Sequence, residues 1–373
     1  MKIKVLDLFS GIGGFHLGLE RAGFEVESYF SEIDKYAIDV YSNNFKNATY
    51  VGSVTDVRSE QLPRINAITF GSPCQDFSLA GKRKGLDGER SSLITEAIRL
   101  IEECRPSFFI WENVKGTFSS NNREDFAAIL QAFTNIGGYR LEWQLLNTKW
   151  FLPQNRERIY LVGYLGGGSG GQVFPIGEND QPFNRTIGTE ERESERMQTS
   201  HSRTIKRNIG NMGSDDTYIK VKSATSKGYE EANEGDSINL SVPTSKTRRG
   251  RVGKGVAQTL DTKCDQAVIG YTRDAKGNVT NRSLKDECNT LHSSSGQGGN
   301  TDQFIKQGRI RRLTPIECER LQGFPDNWTK YGKEKEISDS QRYKMCGNAV
   351  TVDVVAEVAK RIKTIIKDKN DIR

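Results

Sequence analysis

The sequence is poor in the residues that build metal centres and disulfide frameworks. Its 373 residues include six cysteines, at 74, 104, 264, 288, 318 and 346, and no two lie closer than 24 positions. That spacing excludes a Cys-x-x-Cys zinc site or redox pair and fits a reduced, cytoplasmic setting. Three histidines, His16, His201 and His292, are too few for a histidine-rich centre, so no metal is expected. No run of about 18 apolar residues occurs, which excludes a membrane-spanning helix and, with it, a membrane partner. The opening MKIKVLDLFSGIGG lacks a leader's apolar core ending in small residues, so export is not expected.

What is present is an ordinary core with an unusually polar surround. Hydrophobic residues make up 35% and charged residues 27%, enough for a core but polar for a globular chain, so long loops or a polar insert are expected. At roughly 100 to 200 residues per domain the length suggests two or three domains. The net charge of +6 is a weak pointer to nucleic acid. Its distribution says more: Lys246, Arg248, Arg249, Arg251 and Lys254 fall between Thr244 and Val256 with three glycines and no acid.

Glycine divides the chain. Residues 166–308 hold 20 of the 37 glycines and are rich in Ser, Thr and Asn. The stretch starts with a linker-like Gly166-Gly167-Gly168-Ser169-Gly170-Gly171, and β-like pieces such as Gln266 to Tyr271 favour a loop-rich β module over disorder. Outside it, strand and helix patterns alternate. Strands are expected at Lys2 to Phe9, Val26 to Phe30, Ile65 to Phe70, Phe108 to Trp111 and Arg158 to Tyr164. Helices are expected at Gly14 to Ala22, Asp34 to Asn43, Ser91 to Cys104 and Phe126 to Asn135. Val350, Val354, Val358, Ile362 and Ile365 form the stripe of a last helix, expected to return to the first domain. The fold class is therefore α/β, with an open Rossmann-like sheet interrupted by a smaller β module. The boundaries are 1–165 together with 340–373 for the first domain and 166–339 for the second, its variable part being 166–308.

Two constellations carry chemistry. Asp7-Leu8-Phe9-Ser10-Gly11-Ile12-Gly13-Gly14-Phe15 joins the first strand to the first helix, and Glu32 closes the second strand, where an acid can accept ribose hydroxyls. The spacing Gly-x-Gly-Gly disfavours a pyrophosphate cradle, so a ligand with ribose and adenine but no phosphates, S-adenosylmethionine, fits better. Gly71-Ser72-Pro73-Cys74-Gln75 follows the third strand, and Trp111-Glu112-Asn113-Val114 ends the next. A thiolate at Cys74 is a strong nucleophile, and Arg156 and Arg158 are cations able to favour it. Glu112, closing an aromatic-rich strand, is expected to be partly buried, and burial favours a protonated carboxyl able to donate to a ring nitrogen.

In these blocks the chain resembles the DNA (cytosine-5)-methyltransferase family. The ordered motifs are DLFSGIGGF at 7–15, SPCQDFS at 72–78, ENV at 112–114, QNRER at 154–158, RRLTPIECERLQGFP at 311–325 and GNAV at 347–350, and they cover nearly everything outside the insert. The resemblance implies methyl transfer from S-adenosylmethionine, leaving S-adenosylhomocysteine, to carbon 5 of a flipped-out cytosine in duplex DNA. It makes Cys74 the nucleophile, gives Glu112 the target base, and has Arg158 hold the base's carbonyl oxygen with Arg156 beside it. Phe9, Ser10, Gly11, Gly13, Gly14, Glu32, Ile33, Val54, Pro73, Leu93, Asn348 and Ala349 would line the cofactor site. One departure stands out: Ser53 occupies the place of the family's adenine-binding acid, with Asp56 three residues on.

For DNA, the resemblance puts Gln75, Ser78, Lys82, Arg83, Lys84 and Arg90 on a mobile loop. Lys246, Arg248, Arg249 and Arg251 sit in the target-recognition insert. The partners implied are double-stranded DNA and a restriction endonuclease acting on the same site, with the enzyme monomeric on DNA. Two alternatives are a tRNA cytosine-5 methyltransferase, against which the long insert speaks, and a non-catalytic cofactor-dependent DNA-binding regulator, against which the intact Cys74, Glu112 and Arg158 set speaks.

Overall fold

A computed structural model describes residues 1–72, 93–119, 124–165, 171–177, 219–233, 235–241, 247, 249–263, 265–270, 304–305, 308–333 and 335–367. They form two compact units. The first comprises Met1–Thr148, Glu157–Ile176 and Glu319–Arg373; the second comprises Lys149–Arg156 and Gly177–Cys318.

The sheet of the first unit contains β1 (Lys2–Leu8), β2 (Glu25–Ser31), β3 (Thr49–Tyr50), β4 (Ala67–Phe70), β5 (Phe108–Val114), β6 (Tyr139–Asn147) and β7 (Glu157–Leu165). Their order is β3-β2-β1-β4-β5-β7-β6. β1 runs parallel to β2 and β4, and β4 to β5, whereas β7 is antiparallel to both β5 and β6. All four residues of β4 and the first six of β5 are buried, as expected of central strands covered on both faces. From β1 the chain moves outward to β2 and β3, then returns to β4 on the other side of β1. That reversal opens the crevice at the carboxyl ends of β1 and β4, where open α/β sheets bind ligands.

The helices that follow the first strands are α1 (Gly14–Arg21), α2 (Lys35–Asn44), α3 (Leu93–Cys104), α4 (Gly116–Ser119) and α5 (Glu124–Asn135). α1 stops at Gly23, whose φ of 82° suits glycine; Gly23 N–H bonds Glu20 O and Phe24 N–H bonds Leu19 O. α2 starts at Asp34, whose carboxylate accepts the Tyr36 N–H at 2.9 Å. α3 buries Ile94, Ala97, Leu100 and Ile101, and α5 buries Phe126, Ile129 and Phe133, into one apolar cluster with Leu6, Leu8, Phe70, Phe109 and Trp111. Phe133 is fully buried, with its ring 5.2 Å from Phe109 and 5.9 Å from Trp111.

The chain closes with α6 (Pro315–Leu321), α7 (Asp339–Asn348) and α8 (Val352–Lys367). The last helix returns to the first unit, as its sequence stripe implies, and Val350, Val354, Val358, Ile362 and Ile365 are all buried. Glycine makes the approach possible: a Cβ at Gly18 of α1 would fall 2.6 Å from Val355 Cβ, and one at Gly14 would fall 2.6 Å from Val350 Cγ2. The division into units departs from the compositional boundaries at three places. Residues 171–176 group with the first unit, the Val173 and Phe174 N–H groups bonding Glu142 Oε2 at 2.9 and 3.1 Å and the Ile176 N–H bonding Gln144 Oε1 at 2.8 Å. Residues 319–339 group with the first unit, because Phe324 and Ile337 join Ile12 in one apolar cluster and the Trp328 indole donates to Ile12 O at 2.9 Å. Residues 149–156 group with the second, tied by Asn155 N–H to Ala257 O at 2.7 Å and by Ala257 N–H to Pro153 O at 2.8 Å.

In the second unit, β8 (Ile219–Lys222) and β9 (Tyr229–Ala232) form a hairpin. β10 (Ser237–Asn239), β11 (Val252–Gly253), β12 (Gln266–Gly270), β13 (Phe304–Ile305) and β14 (Gly308–Arg312) form an antiparallel sheet in the order β11-β10-β12-β14-β13. No helix among the described residues is long and apolar enough to cross a membrane.

Candidate active site

The glycine turn after β1 is shaped by backbone and by one carboxylate. Phe9, Gly11 and Gly13 all take positive φ, 51°, 52° and 86°. Glu32, at the end of β2, accepts the Gly11 N–H through Oε2 at 2.8 Å, and the Ile33 and Asp34 N–H groups through Oε1 at 2.8 and 3.0 Å. A carboxylate offers about four acceptor positions. Three are taken, which leaves Glu32 an acceptor position free for a ligand hydroxyl without breaking the turn.

A pocket opens at the carboxyl ends of β1, β4 and β5. The turn residues Phe9 to Ile12, with Gly14 and Phe15, form one wall; Gly71 and Glu112 form a second; Asn348, Ala349 and Val350 form a third. Two features fit a polar nucleoside ligand. Among the described residues, Ser10 Oγ is buried in this wall with no hydrogen-bond partner, and the Cβ position of Gly11 has no atom within 4 Å. The residues therefore suit the cofactor that the sequence implies.

Glu112 is 8% exposed, and a Cβ at Gly71 would lie 3.3 Å from its Oε2. Its Oε1 stands 3.0 Å from Arg158 Nε, a charge pair without hydrogen-bond alignment. Antiparallel pairing of β5 with β7, Val114 opposite Arg158, brings the two together. Lys115 and Glu157 add an exposed pair at 2.8 Å beside it.

Several expected residues sit elsewhere. Gly13 faces away from the pocket: a Cβ there would strike the Phe45 ring at 2.3 Å, so glycine serves helix packing. Val54 is 4% exposed within the apolar cluster beneath β4, and Leu93 packs against the same cluster; neither side chain lines the pocket. Ile33 is 79% exposed beside Glu32. Ser53 Oγ bonds Thr55 Oγ1 at 3.1 Å and Asp56 is exposed, both on the turn after β3. In the second unit Arg156 is buried and donates to Leu260 O at 3.4 Å. Arg251 is 3% exposed and directed at the carbonyls of Asn239 and Ser241, so the phosphate contact expected of it gives way to a role inside the fold. Arg249 is exposed, its Nε donating to Ala224 O at 3.0 Å. Pro73, Cys74, Gln75, Ser78, Lys82, Arg83, Lys84, Arg90, Lys246 and Arg248 lie outside the described residues.

Sequence reasoning missed a buried polar network under the turn. Asp7, fully buried, accepts Thr69 Oγ1 at 2.8 Å and Tyr41 OH at 3.2 Å. Burial pushes its carboxyl up to about 8, with the Glu32 charge adding and the bonds from Thr69 and Tyr41 opposing. Tyr41 OH also meets Ser28 Oγ at 2.7 Å and His16 Nδ1 at 3.1 Å, and the His16 ring stacks on Phe45 at 3.6 Å. A polar Asp in an otherwise apolar strand end was the available signal.

A doubly wound α/β sheet with a pocket at its switch point, walled by a glycine turn and by a glutamate paired with an arginine, has the architecture of the nucleotide- and nucleoside-binding α/β proteins. Over residues 3–364 the chain matches the C-5 cytosine-specific DNA methylases, and it belongs to that family. It is 30% identical to the type II methyltransferase M.Bsp6I of Bacillus sp. (strain RFL6), the match covering 96% of this chain and 98% of that one. It is 29% identical to the type II methyltransferase M.FnuDI of Fusobacterium nucleatum, covering 100% and 97%. The Entamoeba histolytica methyltransferase EhMeth shares the fold with a TM-score of 0.56 at 18% identity, covering 99% of each chain. The enzyme is a DNA cytosine-5 methyltransferase.

Proposed function

We propose that the enzyme methylates cytosine in a short sequence of duplex DNA with S-adenosylmethionine as donor, through a covalent bond between Cys74 and the base. The observation that carries the reading is Glu112, buried in the pocket wall, paired with Arg158 and bordering Gly71, three residues ahead of Cys74. Ser10, the Gly11 turn, Glu32, Asn348 and Ala349 would hold the cofactor. Bound there, it supplies an electrophilic methyl group on a sulfonium, which carbon 5 of the base accepts.

The chain's own residues make carbon 5 reactive. Carbon 5 of cytosine is a poor nucleophile. Addition of the Cys74 thiolate to carbon 6 pushes the ring electrons toward carbon 5 while Glu112 shares a proton with ring nitrogen 3. Arg158, already fixed beside Glu112, is placed to hold the base's carbonyl oxygen. Loss of the carbon-5 proton and departure of the Cys74 sulfur restore the ring. Extruding the base from the duplex costs a few kcal/mol.

The second unit is read as the target-recognition module, with the exposed Arg249 as its candidate phosphate contact. The reading places the enzyme in the cytoplasm, monomeric on DNA. The type II relatives support a partner endonuclease that acts on the same site. Transfer of a labelled methyl group tests the reading. Label should enter duplex DNA, at cytosines that bisulfite sequencing then reports in one sequence context. Label entering a tRNA transcript and not duplex DNA would contradict it.

A further inference from the structure

β4 and β5 pair in parallel up to Phe70 opposite Trp111. Beyond that point side chains replace the backbone ladder. The Trp111 indole N–H donates to Ser72 Oγ at 3.1 Å. Asn113 Nδ2 donates to the Ser72 carbonyl at 3.1 Å and to its Oγ at 3.2 Å. Asn113 is held in turn, its Oδ1 accepting the Val114 N–H at 2.8 Å and Thr117 Oγ1 at 3.1 Å. Ser72, Trp111, Asn113 and Thr117 are all buried.

The arrangement is more directed than a generic buried hydrogen-bond set. Residues 111 and 113 share one face of β5, and Glu112 between them points to the other. The two neighbours of the pocket carboxylate thus grip the residue that follows Gly71 and stands two positions ahead of Cys74. Buried amide and indole donors have few alternative partners, so the grip resists drift of this strand end.

We propose that Trp111 and Asn113 are positioning residues that act through Ser72. They fix Ser72, two positions ahead of Cys74, relative to Glu112, and so act on the rate of thiolate addition more than on the affinity for the cofactor. The inference rests on Cys74 being the nucleophile.

Its test is the rate at which a duplex carrying 5-fluorocytosine at the methylated positions forms a covalent adduct, with S-adenosylmethionine saturating. S-adenosylmethionine affinity is measured in parallel by calorimetry. Ser72→Ala and Trp111→Phe should each slow adduct formation about tenfold, a scale set by small misplacements of reacting groups. Cofactor affinity should stay within about twofold, because Ser72, Trp111 and Asn113 do not line the pocket and uniform binding is unchanged. Ser72→Thr, which keeps the hydroxyl, should be faster than Ser72→Ala, and the double variant should be no slower than the slower single variant. Parent rates in both single variants, or a rate loss matched by an equal loss of affinity, would overturn the clamp. Cys74→Ala separates the two readings: no adduct leaves the nucleophile assignment standing, whereas an adduct or turnover in that variant removes it, whatever the clamp variants do.

Discussion

The two units stabilise themselves by different means. In the first, aromatic and aliphatic side chains from β1, β4, β5, β7, α3 and α5 fill one large cluster, and buried polar groups gather where the sheet opens, at Asp7, Ser10, Ser72, Glu112 and Asn113, and again around the Glu319–Arg342 ion pair. In the second, the described core is small, built from Val221, Ala232, Ile238, Leu240 and Ala267. Buried and half-buried polar side chains tie its loops instead. Asp236 accepts the Asn233 and Gly255 N–H groups, Glu230 accepts the Val252 N–H, and Gln266 both receives from Gln258 and donates to Thr259. A large core gives rigid strand ends, which suit a constellation that must be held to fractions of an ångström. A small core threaded by side-chain-to-backbone bonds leaves loop sequence free to vary around a few fixed points, which suits a module that reads different sequences.

The largest effects should fall on the rigid side. Glu112→Gln keeps the size of the side chain but replaces a group that can give and take a proton with an amide that cannot, so turnover should drop by about 10² to 10⁴. Cofactor affinity, measured by calorimetry, should change little. Parent-level turnover would take Glu112 out of the chemistry and blur the contrast between the units.

Core truncation comes next. Phe133→Ala removes a fully buried ring among Phe70, Phe109 and Trp111 and should cost about 3–5 kcal/mol, read as a lower thermal midpoint. A loss below 1 kcal/mol would show that the cluster is looser than its packing implies.

A pH dependence follows from Asp7. Its carboxyl is raised from 3.8 in the unfolded chain to about 8 in the fold, so the folded state holds the extra proton between those values. Stability is therefore full below the unfolded value and declines as pH rises toward about 8, by on the order of 1 kcal/mol per unit within the window. Asp7→Asn carries no titrating group and should gain on the parent as pH is raised from 5 to 8 in thermal melts. A stability difference that is flat across that range would place Asp7 in a better-solvated site.

The smallest effect should separate two arginines close in sequence. Arg249→Ala should leave thermal stability intact and reduce the salt slope of DNA binding by about 0.9, the share of one phosphate contact. Arg251→Ala should do the reverse, lowering stability, because its guanidinium bonds two carbonyls inside the unit. An unchanged slope for Arg249→Ala would remove that residue from the interface.

The sequence made much of the first unit legible because periodicity and glycine act locally there. Strands β1, β2, β4, β5 and β7, helices α1, α2, α3 and α5, and the stripe of α8 all follow from local patterns. β3 was missed because two exposed residues carry no pattern. β6 was legible in principle, since Tyr139, Leu141, Trp143 and Leu145 alternate with polar residues, yet the short spacing to β7 went unread. In the site, motif residues marked the pocket, but which face each residue presents depends on tertiary packing. Gly13 serves the Phe45 ring, Val54 the core and Arg251 the carbonyls of its own unit, and none of that is encoded locally. The Ser72 clamp and the Asp7 network needed strands far apart in sequence to be laid side by side.

The central claim concerns sulfur. After incubation with the donor and a duplex bearing 5-fluorocytosine at its target positions, proteolysis and mass spectrometry should find the nucleotide attached to the peptide containing residue 74. Turnover on ordinary duplex DNA with no nucleotide on that peptide, or with the nucleotide on another residue, would contradict the account.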